Sequence, residues 1–386
     1  MVQTLRFLPL LGLLALPAQA DIGEADRLLS NSVQDIRQSR LDQALHSIDS
    51  LLERYPNFRL AQLVKGDLLL ARAQPISNLG NAPGAREQQD ELREEAKARI
   101  KAISNPVDPG LIPQELLHVD QDTRYVIAVD ASRARLYVFE NSAGGMRRIA
   151  DYYVTVGKFG IGKNKEGDKR TPMGVYTITG FKPDSQLEEL YGIGAYPLSY
   201  PNEWDSRNGR NGSGIWLHGV PRNTYARPPK ASDGCVVLSN DDLNNLGRYI
   251  SIGRTPVLIA PSLSWVDANS LSNARDELQQ AIDSWRRDWE SRDTERLLEH
   301  YSPDFQAGKQ RYRDFAESKR KVNATKSWIR IDIQHLSIYR QPGDRDTAIV
   351  TFDQNYTSSN LNDQSRKRQY WHRENGRWRI IQETIL

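Results

Sequence analysis

Between Asp21 and Ala73 the apolar residues recur at helical spacing. Ala44, Ile48, Leu51 and Leu52 form one set, and Leu60, Leu63, Leu68 and Leu70 another, separated by the break Tyr55-Pro56-Asn57. Pro75 to Gly84 reads as a loop, Glu87 to Ile103 as a charged helix, and Pro106, Pro109, Gly110 and Pro113 as markers of a linker. From Tyr125 the period changes to two. Tyr125–Asp130 and Arg135–Phe139 predict two strands joined by a turn, and further short strands are expected at Tyr152–Val156, Gly174–Ile178, Ile215–His218 and Pro256–Ile259. Because Gly-rich turns separate them, a mainly antiparallel β domain is expected. After Trp265 the pattern shifts again. Ala274 to His300 predicts one long amphipathic helix, with Trp285 and Trp289 on one face. Strands follow at Trp328–Ile338, Thr347–Tyr356, Arg366–Glu374 and Trp378–Thr384, the last two around the hairpin turn Asn375-Gly376.

The chain therefore divides into a helical segment at 21–105, a linker at 106–121, a β domain at 122–262 and a compact α+β domain at 270–386. At 386 residues it is too long for one ordinary domain. Its 38% hydrophobic and 26% charged residues belong to a folded globular chain, and a net charge of +3 gives no reason to expect a nucleic-acid partner. The first twenty residues stand apart: Arg6 precedes an apolar run from Phe7 to Leu16, and Ala18-Gln19-Ala20 fits a cleavage site. That run is too short to span a bilayer, so residues 1–20 read as a secretory signal peptide. The expected location is the periplasm, without stable membrane insertion after cleavage.

Export makes the cysteine count informative. The chain has a single cysteine, so it has no internal disulfide, and a lone thiol in an oxidising compartment is either inert or used. Its surroundings decide. His218-Gly219 closes an apolar strand, and Ser232-Asp233-Gly234-Cys235-Val236-Val237 opens another. An imidazole beside a thiol accepts its proton, and the thiolate is the attacking species. Chemistry alone allows any cysteine acyl transferase.

His218-Gly219 followed by Ser232-x-Gly234-Cys235-Val236 resembles the signature of the L,D-transpeptidase catalytic family. Two upstream segments, Val156-Gly157-Lys158 and Thr171-Pro172-Met173-Gly174-Val175-Tyr176, are similar to that family's preceding turn and strand. The resemblance covers about residues 122–261. It implies that Cys235 attacks the carbonyl of the L-centre in the third residue of a peptidoglycan tetrapeptide stem, that His218 is general base and then acid, and that the Gly219 carbonyl holds the imidazole. It further implies an oxyanion site at the amides of Gly234 and Cys235, with Ser232 bonding within the loop. Two positions depart from the family pattern. Many members carry His, Lys or Arg where this chain has Asp233, and Arg or Asn where it has Val237, so Arg222, Arg227 and Lys230 are expected to supply the charge that meets substrate. Tyr191, Tyr196, Tyr200 and Trp204 are expected to form an aromatic lid, with Tyr200 touching substrate. No metal and no cofactor are expected, since His118, His300, His335 and His372 lack ligand spacing.

Trp285 to Asp293, then Tyr301-Ser302-Pro303-Asp304-Phe305, and finally Gly376-Arg377-Trp378-Arg379-Ile380, resemble the nuclear-transport-factor-like (SnoaL-like) cone. The helical segment resembles one tetratricopeptide-type hairpin and is read as an accessory or homodimerisation element. The whole order resembles cell-shape enzymes that trim tetrapeptides to tripeptides. The leading expectation is cross-linking as an L,D-transpeptidase, with L,D-carboxypeptidation by the same thioester as the alternative. A non-catalytic wall-binding scaffold and a cysteine amidase follow.

Overall fold

A computed structural model describes residues 21–72, 80 and 86–386. The expected signal peptide and most of the Pro75–Gly84 loop lie outside the described residues. The structure is multidomain: N-terminal helices, then a β-rich unit, then an α+β cone.

A two-residue strand β1 (Asp21–Ile22) leads into helices α1 (Glu24–Arg37), α2 (Leu41–Arg54), α3 (Arg59–Ala71) and α4 (Arg86–Ser104). Ala25 and Leu29 on α1, Ala44, Ile48 and Leu51 on α2, and Leu60, Ala61, Val64 and Leu68 on α3 are buried together with Ala96 of α4. This is the apolar stripe that the i, i+3 and i+4 spacing dictates. The core takes in a residue from far away: Tyr225, between His218 and Cys235 in the chain, packs its ring 4.8 Å from Tyr55 and 4.4 Å from Phe58. The helical unit thus braces the loop that follows His218.

Residues 106–121 are not a bare linker. They contribute β2 (Ile112–Pro113) and β3 (Leu116–His118), and β3 joins the edge of the C-terminal sheet by pairing with its first long strand. Their apolar residues Ile112, Leu116 and Leu117 are buried, and prolines at a strand edge cost no ladder hydrogen bond.

The central unit contains β4 (Tyr125–Asp130), β5 (Arg135–Ser142), β6 (Gly145–Tyr153), β7 (Val156–Gly157), β8 (Gly174–Thr177), β9 (Lys182–Pro183), β10 (Gly194–Pro197), helix α5 (Glu203–Arg207), β11 (Trp216–His218), β12 (Lys230–Ser232), β13 (Val236–Val237), helix α6 (Asn240–Gly247) and β14 (Pro256–Ala260). One sheet runs β1-β6-β5-β4-β14-β8 and a smaller one β13-β11-β10-β9, with β12 paired to β7. Ile127, Val129, Leu136, Val138, Tyr176, Leu217, Val236 and Ile259 fill the core between them. Antiparallel pairings outnumber parallel ones only narrowly, because β1–β6, β4–β14, β7–β12 and β11–β13 are parallel. The last of these positions the thiol.

After β15 (Trp265–Val266) come α7 (Ser272–Glu290) and α8 (Thr294–Glu299), where the sequence suggested one helix. Arg292 takes φ +64 and Asp293 caps α8 by accepting from the Arg296 amide, so the chain turns there to bury Leu297 and Leu298. Next are β16 (Tyr301–Ala307), β17 (Gln310–Arg311), helix α9 (Tyr312–Ala324) and the long strands β18 (Ile329–Arg340), β19 (Thr347–Ser358), β20 (Leu361–Glu374) and β21 (Arg377–Ile385). The sheet order is β17-β16-β21-β20-β19-β18-β3. Trp285 and Trp289 face its inner side against Phe352 and Tyr356.

A buried ion network ties the helices to the central sheet. The Asp26 carboxylate on α1 binds Arg99 on α4 and, at 2.5 Å, Arg135 on β5; Arg99 also binds Glu95 at 2.8 Å, and Arg135 binds Asp151. Burial acts to raise the Asp26 pKa, but the two guanidiniums outweigh it and hold the carboxyl below its usual value. The contribution is therefore complete above the unfolded carboxyl pKa of about 4 and is lost as pH falls through the lower folded value. Asp26→Asn is expected to destabilise the protein by about 3–5 kcal/mol at pH 7, by leaving buried guanidiniums uncompensated. It should also make stability less sensitive to acid below pH about 4. Urea unfolding at several pH values measures both; an unchanged midpoint with an unchanged acid limb would contradict this role.

Candidate active site

His218 ends β11, a three-residue strand held on both sides. Antiparallel pairing sets Ala195 of β10 opposite His218, and parallel pairing sets Leu217 against Val236 and His218 against Val237 of β13. Cys235 lies two residues before Val237. By strand parity it shares the sheet face from which the imidazole projects. Two further residues reach both groups. The Tyr191 ring stands edge-on to the imidazole at 5.0 Å and feels the charge of the thiol, and Arg227 acts electrostatically on both His218 and Cys235.

The imidazole is 2% exposed, and its Nδ1–H donates to the Gly219 carbonyl at 2.7 Å, which leaves Nε2 as the acceptor. Burial depresses its pKa to about 4; the Gly219 carbonyl works against this and the nearby Arg227 charge adds to it. Cys235 is half-buried, with its thiol donating to the Gly214 carbonyl at 3.3 Å. Burial pushes the thiol up to about 11, the Trp216 amide and Arg227 pulling down and Asp233 pushing further up. At neutral pH both groups thus rest uncharged, a thiol bonded to the Gly214 carbonyl and a neutral imidazole bonded to that of Gly219, not a thiolate and an imidazolium.

The backbone around Cys235 is fixed locally. Gly234 has φ +132, and a Cβ there would sit 2.8 Å from the Arg170 carbonyl oxygen, so only glycine fits. Ser232 closes the turn: its Oγ accepts from the Gly234 amide at 3.1 Å and donates to the Cys235 carbonyl at 2.6 Å. The Gly234 N–H, assigned from sequence to an oxyanion site, is therefore already engaged. The Cys235 N–H has no partner among the described residues.

Sequence reasoning missed Asn240, the first residue of α6. Its Oδ1 accepts from the amides of Ile193 and Val220, each at 3.2 Å, and its Nδ2 donates to the Val220 carbonyl at 2.9 Å. The same Oδ1 occupies the space that a Cβ on Gly219 or Gly192 would need, at 2.1 and 2.2 Å. Asn240 therefore clamps the turn whose carbonyl orients the imidazole. In sequence it reads only as a polar residue at a helix start after the Ser239 cap, because its partners come from other segments.

The three loop cations fare differently. Arg222 is exposed and paired with Asp184 at 2.5 Å; Lys230 is exposed on β12; Arg227 is half-buried and donates to the Leu190 carbonyl at 3.2 Å. Of the three, Arg227 bears on the thiol electrostatically, joined by the buried Lys163, which pairs with Asp168 at 2.9 Å. Asp233 points outward, 85% exposed, 3.5 Å from Lys169. Tyr200 does not face a groove over the thiol: it is buried against Tyr176, and its hydroxyl donates to the Asn211 carbonyl at 2.9 Å. Trp204 stacks on Tyr370 of the cone at 4.9 Å, which removes it from the expected lid. Asp120, Asp122 and His335 bring ligand-type atoms within 4.8 Å of one another, a grouping that spacing along the sequence does not reveal.

Two family models match: the L,D-transpeptidase catalytic domain over residues 124–259 and the Cds6 C-terminal NTF2-like domain over residues 277–384. No curated protein matches the chain. Among solved structures, Bdellovibrio bacteriovorus Bd1075 is similar at 30% identity with TM-score 0.63, over 71% of this chain and 98% of that one. The helical cell shape determining protein Pgp2 from Campylobacter jejuni shares the fold at 20% identity and TM-score 0.57, over 76% of this chain and 98% of that one. The likeness to Bd1075 over 71% of this chain, with both domain models falling on the units seen in the fold, means that this chain belongs to the L,D-transpeptidase catalytic-domain family, in the form that carries a C-terminal NTF2-like domain.

Proposed function

We propose that the protein is an exported, periplasmic cysteine acyl-transfer enzyme that acts on peptidoglycan tetrapeptide stems through a Cys235 thioester. The observation that carries this reading is the neutral pair: a half-buried thiol on the sheet face of a histidine whose Nδ1–H is tied to Gly219. Nε2 takes the thiol proton as sulfur attacks the carbonyl carbon of the third stem residue. The tetrahedral oxyanion meets the Cys235 N–H, the amide left without a partner. Collapse breaks the C–N bond, and His218 returns its proton to the departing D-alanine amine. The resulting thioester is then resolved by an acceptor nucleophile, which His218 deprotonates. Arg227 is the cation best placed to steady a substrate carboxylate; Arg222 and Lys230 lie further out.

Water as that acceptor gives a trimmed tripeptide, and an amine gives a cross-link. The likeness that spans 98% of Bd1075 and of the cell-shape determinant Pgp2, over 71% and 76% of this chain, supports trimming, with cross-linking as the second reading. It likewise supports a role in setting cell shape. No described helix is long and apolar enough to cross a membrane.

Incubating residues 21–386 with disaccharide-tetrapeptide and analysing products by mass spectrometry separates the readings. A tripeptide is expected, absent with Cys235→Ala and reduced about 100-fold or more with His218→Gln. A dimeric muropeptide instead would establish cross-linking, and no Cys235-dependent product would remove both. The electrostatics make a second prediction. With a resting imidazole pKa of about 4, the acid limb of kcat/KM is expected near pH 4 and not near the ordinary histidine value of about 6.5. Alkylation of Cys235 by iodoacetamide should rise about tenfold per pH unit between pH ~7 and ~9. A rate already level at neutral pH would instead mean a thiolate–imidazolium pair.

A further inference from the structure

The interface between the central unit and the cone encloses a cleft of about 460 Å³. One wall is the outer face of the C-terminal sheet. There Ser337, Thr351 and Arg368 form one cross-strand row over β18, β19 and β20, and Tyr339 and Ile349 the next. The other wall comes from Val175 and Thr177 of β8, the Ser199–Glu203 segment before and into α5, and Arg254. This is the face opposite the one against which Trp285 packs, so the cleft is separate from the cone's own interior.

Its chemistry is uneven. Arg254, Arg366 and Arg368 line it, with the Glu203 carboxylate and the chain's last residue, Leu386, among the other lining groups. Arg368 is only 6% exposed, and although one terminal nitrogen reaches Glu203 at 3.4 Å, its Nε is buried with no hydrogen-bond partner. Arg366 is held only loosely, 3.8 Å from Asp353. A buried guanidinium edge left unpaired is costly unless something fills it, and its fork geometry suits a carboxylate. The hydroxyls of Thr177, Ser199 and Thr351 add donors, and Glu203 can accept from an ammonium. The apolar lining, with Val175, Tyr339 and Ile349, favours an organic molecule over a bare inorganic anion.

We propose that this cleft is a binding site for the carboxylate end of a small zwitterion, an amino acid or short peptide, clasped between the central unit and the cone by Arg254, Arg366 and Arg368. The occupant touches the Tyr200 ring, whose hydroxyl anchors Asn211 in the loop that leads to Gly214 and the thiol. The site is independent of which nucleophile resolves the thioester.

The test is isothermal titration of residues 21–386 with D-alanine, D-alanyl-D-alanine and inorganic phosphate, with thermal unfolding alongside. Saturable binding of at least one of the two zwitterions is expected, together with a raised unfolding temperature. Arg254→Ser and Arg366→Ser, both on the accessible rim, should each weaken binding about tenfold without lowering the melting temperature of the free protein. Arg368→Leu should abolish binding; because it is buried, the rim variants decide the matter if it unfolds. The active-site variant Cys235→Ala should bind as tightly as wild type, which separates this cleft from the catalytic site. The proposal is overturned by no zwitterion binding up to about 10 mM, by binding of phosphate alone, by binding that the rim variants leave unchanged, or by binding that Cys235→Ala removes.

Discussion

Two very short strands, Trp216–His218 and Val236–Val237, run parallel, and the chemistry of the molecule hangs on that pairing. Antiparallel neighbours can be joined by a tight turn, but parallel ones need a long return. Here the return is the stretch 219–235, and it carries every loop cation considered for substrate. A return of that length is free to wander unless something holds it. Tyr225 locked between Tyr55 and Phe58 holds its middle, and Asn240 its beginning. The N-terminal helices are in turn fastened to the sheet through Asp26, Arg99 and Arg135. The accessory unit is therefore part of how the active site is shaped, although none of its residues belongs to the catalytic pair.

Burial explains the electrostatic state of the pair. Both groups lose solvation, and desolvation disfavours whichever form is charged, so the histidine falls and the thiol rises. Arg227 and the Trp216 amide pull the thiol back only in part. A neutral resting thiol resists oxidation, because oxidation follows thiolate character. In the proposed reaction the charge develops only when a carbonyl arrives and the Cys235 amide has an oxyanion to meet.

Much of this was legible in the sequence. His218-Gly219 and Ser232-x-Gly234-Cys235 are two short local runs, and the change from helical to alternating spacing near Tyr125 marked where the β unit begins. What the sequence hid depends on contacts between distant segments. Asn240 looks like an ordinary helix-start residue because its partners, Ile193 and Val220, are supplied by other loops. Tyr200 and Trp204 looked like a lid because aromatic residues in Gly- and Pro-rich stretches read as exposed, whereas one is core and the other packs on the cone. Residues 112–118 looked like linker because strands of two and three residues are too short to show a period. The break at Arg292 and the helix at 312–324 were lost in charged stretches with few apolar markers.

The account rests on Cys235 becoming covalently acylated by a stem peptide. The direct measurement is acid-quenched intact mass spectrometry, with peptide mapping, of residues 21–386 mixed with disaccharide-tetrapeptide. The expected result is a transient adduct with the mass of the stem lacking its terminal D-alanine, located on Cys235 and absent from Cys235→Ala. Product formation with no adduct on that sulfur, or an adduct on another residue, would contradict the account.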